Sequence, residues 1–308
     1  MTALLALLPF ALATQVTWDS APCPVGDANA RVFYKASGNT HGGWDSDLAN
    51  YSTQGQWREY AISTCPDTLY SVYGFDMDKP LDDATAAAVT ARLDALRKQY
   101  KLDAETIETW ERYLVAGEVY KVLKKDPRFL AQLYLEASWA ARDMAVGVYV
   151  GLEGPVAARE LLDQGEKELL RQLPPRERKV LLHNLARVAH RGGFNADRDR
   201  YLKLFEQVGD LDADEQAALD TFRRVADTIE PQLQRLAVEQ LKAYLASDPD
   251  DPVEVARATY LLADLARRLD QPRQAAQGYA LVLTMSEAPP ELRELSAFLG
   301  SLLDGEAP

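Results

Sequence analysis

Two patterns of apolar and polar positions divide the chain near Pro80. Up to that point apolar residues come in short runs with β character, Arg31-Val32-Phe33-Tyr34, Tyr60-Ala61-Ile62-Ser63-Thr64 and Tyr70-Ser71-Val72-Tyr73-Gly74-Phe75. These are separated by Gly-, Asn- and Ser-bearing loops such as Asn39-Thr40-His41-Gly42-Gly43. After it the spacing turns helical almost throughout. Asp82 or Asp83 caps a helix reaching about Tyr100. Ile107, Trp110, Leu114, Gly117 and Tyr120 mark one helix face, and Phe129, Leu133, Ala137, Ala140 and Met144 mark the next. Pro174-Pro175 separates a helix carrying Leu161, Leu162 and Leu169 from one carrying Val180, Leu181, Leu185 and Val188. Pro231 is expected to end a helix carrying Phe222, Val225 and Ile229. Asp251 and Pro252 read as N-cap and first helical residue, and three last helices centre on Leu262, Tyr279 and Leu295.

The expected fold is mainly α, made of antiparallel helix pairs behind a small N-terminal β-rich unit. Tyr260 to Tyr279 is repeat-like, with small residues in the first helix, a short turn, then Ala275, Ala276 and Tyr279. That is similar to a tetratricopeptide repeat, in which small residues let two helices approach closely. Leu185 to Tyr201 echoes it with a spacing one residue shorter. The expected organisation is a signal peptide over 1–13, a β-rich unit over 14–80 and a helical domain over 81–308.

Composition narrows the function classes. The 308 residues are 47% hydrophobic and 26% charged, as in packed proteins, and the net charge of −13 disfavours a phosphate backbone as partner. Met1 to Thr14 reads MTALLALLPFALAT. Its apolar run has the length of a signal-peptide core, and Ala11-Leu12-Ala13 offers a cleavage site before Thr14, although no Lys or Arg precedes the run. The expectation is export to a periplasm or medium; an apolar first element of a cytoplasmic protein is the alternative. No stretch is apolar long enough to span a bilayer.

Cys23 and Cys65 are the two cysteines, and each opens a Cys-Pro segment: Cys23-Pro24-Val25-Gly26 and Cys65-Pro66-Asp67-Thr68. Each resembles a C-P-x-C zinc knuckle whose second cysteine has become Gly26 or Thr68. Two thiolates are too few for a closed zinc site, so no cofactor is expected. Facing knuckles would leave the survivors close, which predicts a Cys23–Cys65 disulfide; two buried free thiols are the alternative.

These residues lie in an order that resembles the bacterial family listed as domain of unknown function 2225. A knuckle and a strand come first. A loop ending in G-G-x-D-S-D follows, here Gly42-Gly43-Trp44-Asp45-Ser46-Asp47, then a strand and a second knuckle leading to Tyr70-Ser71. Leu133 to Asp143 resembles that family's helical tail. The likeness covers most of residues 20–150. It implies a two-knuckle unit on a helical tail, with half of the family's cysteines absent here; the family has no established activity to carry over.

Other chemistry is sparse. His41, Asp45 and Asp47 fall within seven residues. They point either to a divalent-cation or water-positioning site or to a structural loop docked through the two carboxylates, with Trp44 at least partly buried. Asp210 to Asp214 mimics the start of a calcium loop, but Glu215 and Thr221 occupy the wrong positions, so it reads as an acidic helix start. His183 and His190 are two turns apart, too far for a paired metal site. Nucleophile motifs, phosphate loops and dinucleotide fingerprints are missing. Trp110, Tyr113, Tyr120, Tyr134 and Trp139 recur at helical spacing and read as core, with a ligand-facing groove as the alternative. The function expected is therefore non-enzymatic: an exported interaction or scaffold protein holding a peptide or protein through its helical repeats. A metal-dependent hydrolase or metal-binding protein centred on His41, Asp45 and Asp47 is the alternative.

Overall fold

Hairpins and helices follow the two sequence patterns. The structure is a computed structural model that describes residues 14–147 and 151–304, so the expected signal peptide lies outside the described residues. Strands β1 (Gln15–Pro22) and β2 (Asn29–Ser37) form an antiparallel hairpin with Trp18 opposite Phe33. β1 was not foreseen, because its residues are mostly polar and exposed and only pairing with β2 holds it extended. The two-residue β3 (Gly43–Trp44) pairs in parallel with β6 (Leu152–Glu153), far along the chain, while β4 (Ile62–Thr64) and β5 (Ser71–Tyr73) make a second hairpin.

The tips of the two hairpins meet. Cys23 and Cys65 are joined by a disulfide with a Cα–Cα distance of 5.9 Å. Gly26 and Thr68, each at the fourth position of its Cys-Pro segment, face each other as well. A Cβ added to Gly26 would lie 2.8 Å from Thr68 Cγ2, and the Thr68 hydroxyl donates to the Val25 carbonyl at 3.1 Å.

Helices fill the rest: α1 (Asp83–Tyr100), α2 (Thr109–Val122), α3 (Pro127–Val146), α4 (Gly154–Leu169), α5 (Pro175–Gly192), α6 (Asn195–Gln207), α7 (Ala213–Arg224), α8 (Glu230–Ala246), α9 (Pro252–Arg268), α10 (Pro272–Thr284) and α11 (Pro290–Asp304). The protein is mainly α with a small N-terminal β region. Expected caps are in place: Asp82 accepts from Thr85 N at 2.8 Å and Asp251 from Val253 N at 3.0 Å. Asp212, in the segment that mimics a calcium loop, is the N-cap of α7 in a reciprocal capping box with Glu215.

Pro231 does not end its helix. Val225–Ile229 forms a π-helical turn that carries α7 directly into α8, with Pro231 in the first turn of α8. A proline there lacks an N–H that the widened turn does not need, so the chain continues instead of stopping. Met144 also departs from expectation and is exposed at the end of α3, at 37%.

Consecutive helices pack as pairs. In α9–α10 a Cβ added to Gly278 would lie 2.7 Å from Ala263 Cβ, the close approach of small residues expected for a repeat. The most extensive helix packing, however, joins α3 to α8, which brings the late helices back onto the early ones. One hydrophobic core runs from the β hairpins through α1–α3 and α8–α11. A second is built by α4–α7.

Candidate functional site between strands and helices

Asp45, Ser46 and Asp47 form the hub between the β region and the helices. Their loop is set by local sterics. Gly43 has φ +82°, and a Cβ there would fall 1.9 Å from the Leu152 carbonyl oxygen, so the β3–β6 pairing needs glycine at this position. Asp45 N bonds Ala49 O and Leu48 N bonds Asp45 O, both at 2.9 Å, which turns three successive polar side chains into the protein. All three are buried. Trp44 is half-buried and packs on Gly154, not on the glycines beside it in sequence: a Cβ on Gly154 would lie 2.4 Å from the indole.

Each of the three reaches a different group of partners. Asp45 takes Arg142 Nη1 at 2.7 Å, Arg191 Nε at 2.7 Å and the Tyr51 hydroxyl at 2.7 Å. Asp47 takes Arg142 Nη2 at 2.5 Å and the Trp139 indole at 3.1 Å. The Ser46 hydroxyl donates to Asp264 Oδ2 at 2.9 Å and accepts from Arg267 and Arg268, each at 2.8 Å. Tyr260 closes this arm on the Ser46 carbonyl at 2.6 Å. Glu230, from α8, binds the far side of Arg142 at 2.5 Å and His190 Nε2 at 2.8 Å.

The buried cations Arg142, Arg191, Arg267 and Arg268 therefore meet the buried anions Asp45, Asp47, Glu230 and Asp264 in a balanced network. Such a network tolerates burial because every charge has a partner and hydrogen bonds complete the shell. Burial alone would raise the Asp47 carboxyl, but Arg142 and Arg268 hold it well below the usual range. The same contest, won by Arg142 and His190, brings Glu230 down to about 2. Burial pushes His190 down, so it is a neutral imidazole that donates from Nε2 to Glu230, with Arg198 Nη1 3.5 Å from Nδ1.

These shifts set a pH dependence. Glu230 contributes stability in full above its ordinary pKa of 4.5 and loses it as pH falls through about 2. His190 takes up a proton more readily when unfolded, so it also lowers stability as pH drops below 6.5. We expect the melting temperature to fall from neutral pH downward, most steeply below pH 4.5, with Glu230→Gln flattening that acid limb. An acid limb of equal depth in the variant would show that other groups set it.

The trio His41, Asp45 and Asp47 is not assembled. His41 is exposed on the loop, while both carboxylates point inward to arginines. Among the described residues no group of three or more His, Cys, Asp or Glu is placed to hold a metal ion. His183 lies apart from the network, against Phe205 and Phe222. Arg142, Arg191, Glu230, Asp264, Arg267 and Arg268 carried no role in the sequence reading. Their signal was a charge set among apolar helix neighbours, as with Arg142 after Ala140-Ala141 and Asp264 within Leu261-Leu262-Ala263-Asp264-Leu265.

An open cleft of about 500 Å³ adjoins this sealed network, between β2, β5, the 50–58 loop and α3. Phe33, Tyr34, Trp57, Tyr73, Phe75 and Trp139 line it, and Tyr34 and Phe75 are more than half exposed. Tyr73 and Phe75 stack at 5.3 Å. Its floor carries Arg58, bound to Asp143 at 2.5 Å, and Glu136, which accepts from the Tyr73 hydroxyl at 2.9 Å and Gln132 at 3.0 Å. Burial pushes the Glu136 carboxyl up. A smaller groove of about 380 Å³ lies among α3, α8 and α9, lined by Phe129, Leu241, Tyr244 and Leu261.

No family model, curated protein or solved structure matches this chain. Of the aromatics read as core, Tyr113, Tyr120 and Tyr134 are fully buried, whereas Trp139 both borders the cleft and anchors Asp47. No helix among the described residues is long and apolar enough to cross a membrane.

Proposed function

We propose that the protein is an exported, non-enzymatic interaction protein that holds a peptide or protein partner, with recognition centred on the aromatic cleft. The observation that carries this reading is a contrast. The carboxylates that suggested chemistry are consumed by buried arginines, while large rings stand open around a cleft of about 500 Å³. Aromatic rings give much contact area for little lost freedom, and concave sites of this size are where ligands bind. The disulfide supports an oxidising compartment, and hence export. The facing loops at 23–26 and 65–68 support kinship with the resembled two-knuckle family; with both thiols in the disulfide, that kinship leaves no thiolate for zinc.

A peptide library selected on the parent protein tests the reading. Recovered peptides should bind the parent and lose binding to Tyr34→Ala/Phe75→Ala. They should keep it with Tyr244→Ala, which alters the groove among α3, α8 and α9. The reverse pattern would move recognition to the helices, and failure to recover any peptide would remove the binding reading.

A further inference from the structure

Buried carboxylates in this protein have cations beside them. Asp45, Asp47 and Glu230 share Arg142, Asp264 has Arg267 and Arg268, Asp143 has Arg58, and Asp76 has Lys79. Glu136 is different. It sits partly buried on the floor of the aromatic cleft, and its hydrogen-bonding neighbours Tyr73, Gln132 and Tyr113 are all neutral, with Arg58 acting on it only through its field. It is the one carboxylate lining that cleft among the described residues. Arg58 lies on the same floor, but its charge is taken by Asp143.

We propose that the cleft receives a lysine side chain of the partner peptide, its ammonium group pairing with Glu136 and its stem lying along the aromatic walls. The inference rests on the cleft being the recognition site. Three observations favour a cationic occupant. A carboxylate partly removed from water gains most from an opposite charge brought to it. Aromatic faces attract cations and also cover an alkyl stem. The net charge of −13 draws basic segments toward the protein. Tyr73 donates to one Glu136 oxygen and Gln132 to the other, which fixes the carboxylate on the cleft floor. Lys35 on the rim is the opposing feature, and it supplies a control.

The probes are Nα-acetyl-lysine methylamide and its uncharged counterpart Nα-acetyl-norleucine methylamide. Both are titrated against tryptophan fluorescence, because Trp57 and Trp139 line the cleft. We expect the lysine probe to bind the parent about tenfold more tightly than the norleucine probe, the value of one desolvated cation contact. Glu136→Gln keeps the shape and one of the two acceptor oxygens, and it should abolish that preference, with unchanged binding of the norleucine probe as the check that the floor is intact. Lys35→Gln should tighten the lysine probe alone, and Phe75→Ala should weaken both probes. Equal binding of the two probes to the parent would overturn the cation inference while leaving the cleft as a recognition site. A preference that survives Glu136→Gln would overturn the assignment to that carboxylate. Absence of binding by either probe, with library peptides still binding through Tyr34 and Phe75, would overturn the lysine assignment alone.

Discussion

Replacing Arg142 with methionine is expected to cost about 3–5 kcal/mol of stability, the usual penalty for breaking a buried ion pair from one side. Arg142 is fully buried and binds Asp45, Asp47 and Glu230 at once, from the β-region loop and from α8. Methionine would fill much of the space but would leave carboxylates desolvated beside an apolar chain. For a chain of this size that loss corresponds to a melting temperature lowered by on the order of 10 °C. Arg142→Lys should fall between, since an ammonium keeps the charge and loses the fork that reaches three acids. Asp45→Ala and Asp47→Ala act in the same direction by stranding the arginines. Added divalent cation should not change any of these melting curves, whereas a metal site at His41, Asp45 and Asp47 predicts stable variants that lose cation binding. Melting of Arg142→Met within about 2 °C of the parent would remove the network from its role in joining strands to helices.

The second large effect is expected at the disulfide. Cys23→Ser/Cys65→Ser opens a loop of 42 positions, for which the chain-entropy estimate is about 4 kcal/mol. The loss should be uneven. The β1–β2 hairpin has little buried apolar surface beyond Ala30 and Val32, so its amides should exchange faster than those of α3 and α8. Denaturant melts with and without reductant, followed by hydrogen exchange on the variant, would read both parts. Identical midpoints in the two melts would mean that the hairpin is held by its contacts with β4 and the loops, and that the bridge adds nothing.

Much of the fold was legible in residue order. Apolar spacing located the helices because a helix on a core must repeat its apolar face about every 3.6 residues, and Asp82 and Asp251 marked starts because capping is a local event. The Cys-Pro segments placed the two loops that pair. Gly42-Gly43-Trp44-Asp45-Ser46-Asp47 stood out through its resemblance to a family loop and its clustered acids, and the structure adds that a Cβ on Gly43 would fall 1.9 Å from the Leu152 carbonyl oxygen. What those acids do was not legible. A carboxylate followed by another two positions on reads the same whether it meets a cation in solution or an arginine 97 residues away, and here Asp45 meets Arg142.

Sequence by itself determined most of the helices, their caps and the change from strands to helices, because each depends on neighbours along the chain, and it pointed to the two cysteines as partners. Only the tertiary structure decided that Asp45 and Asp47 are spent on Arg142 and Arg191, that α8 returns to α3, that Pro231 is absorbed by a π turn, and that Glu136 sits on the floor of an aromatic cleft with neutral hydrogen-bond partners. Those outcomes depend on desolvation and charge pairing between segments brought together by packing, and no local pattern of residue types encodes which distant partner will be there.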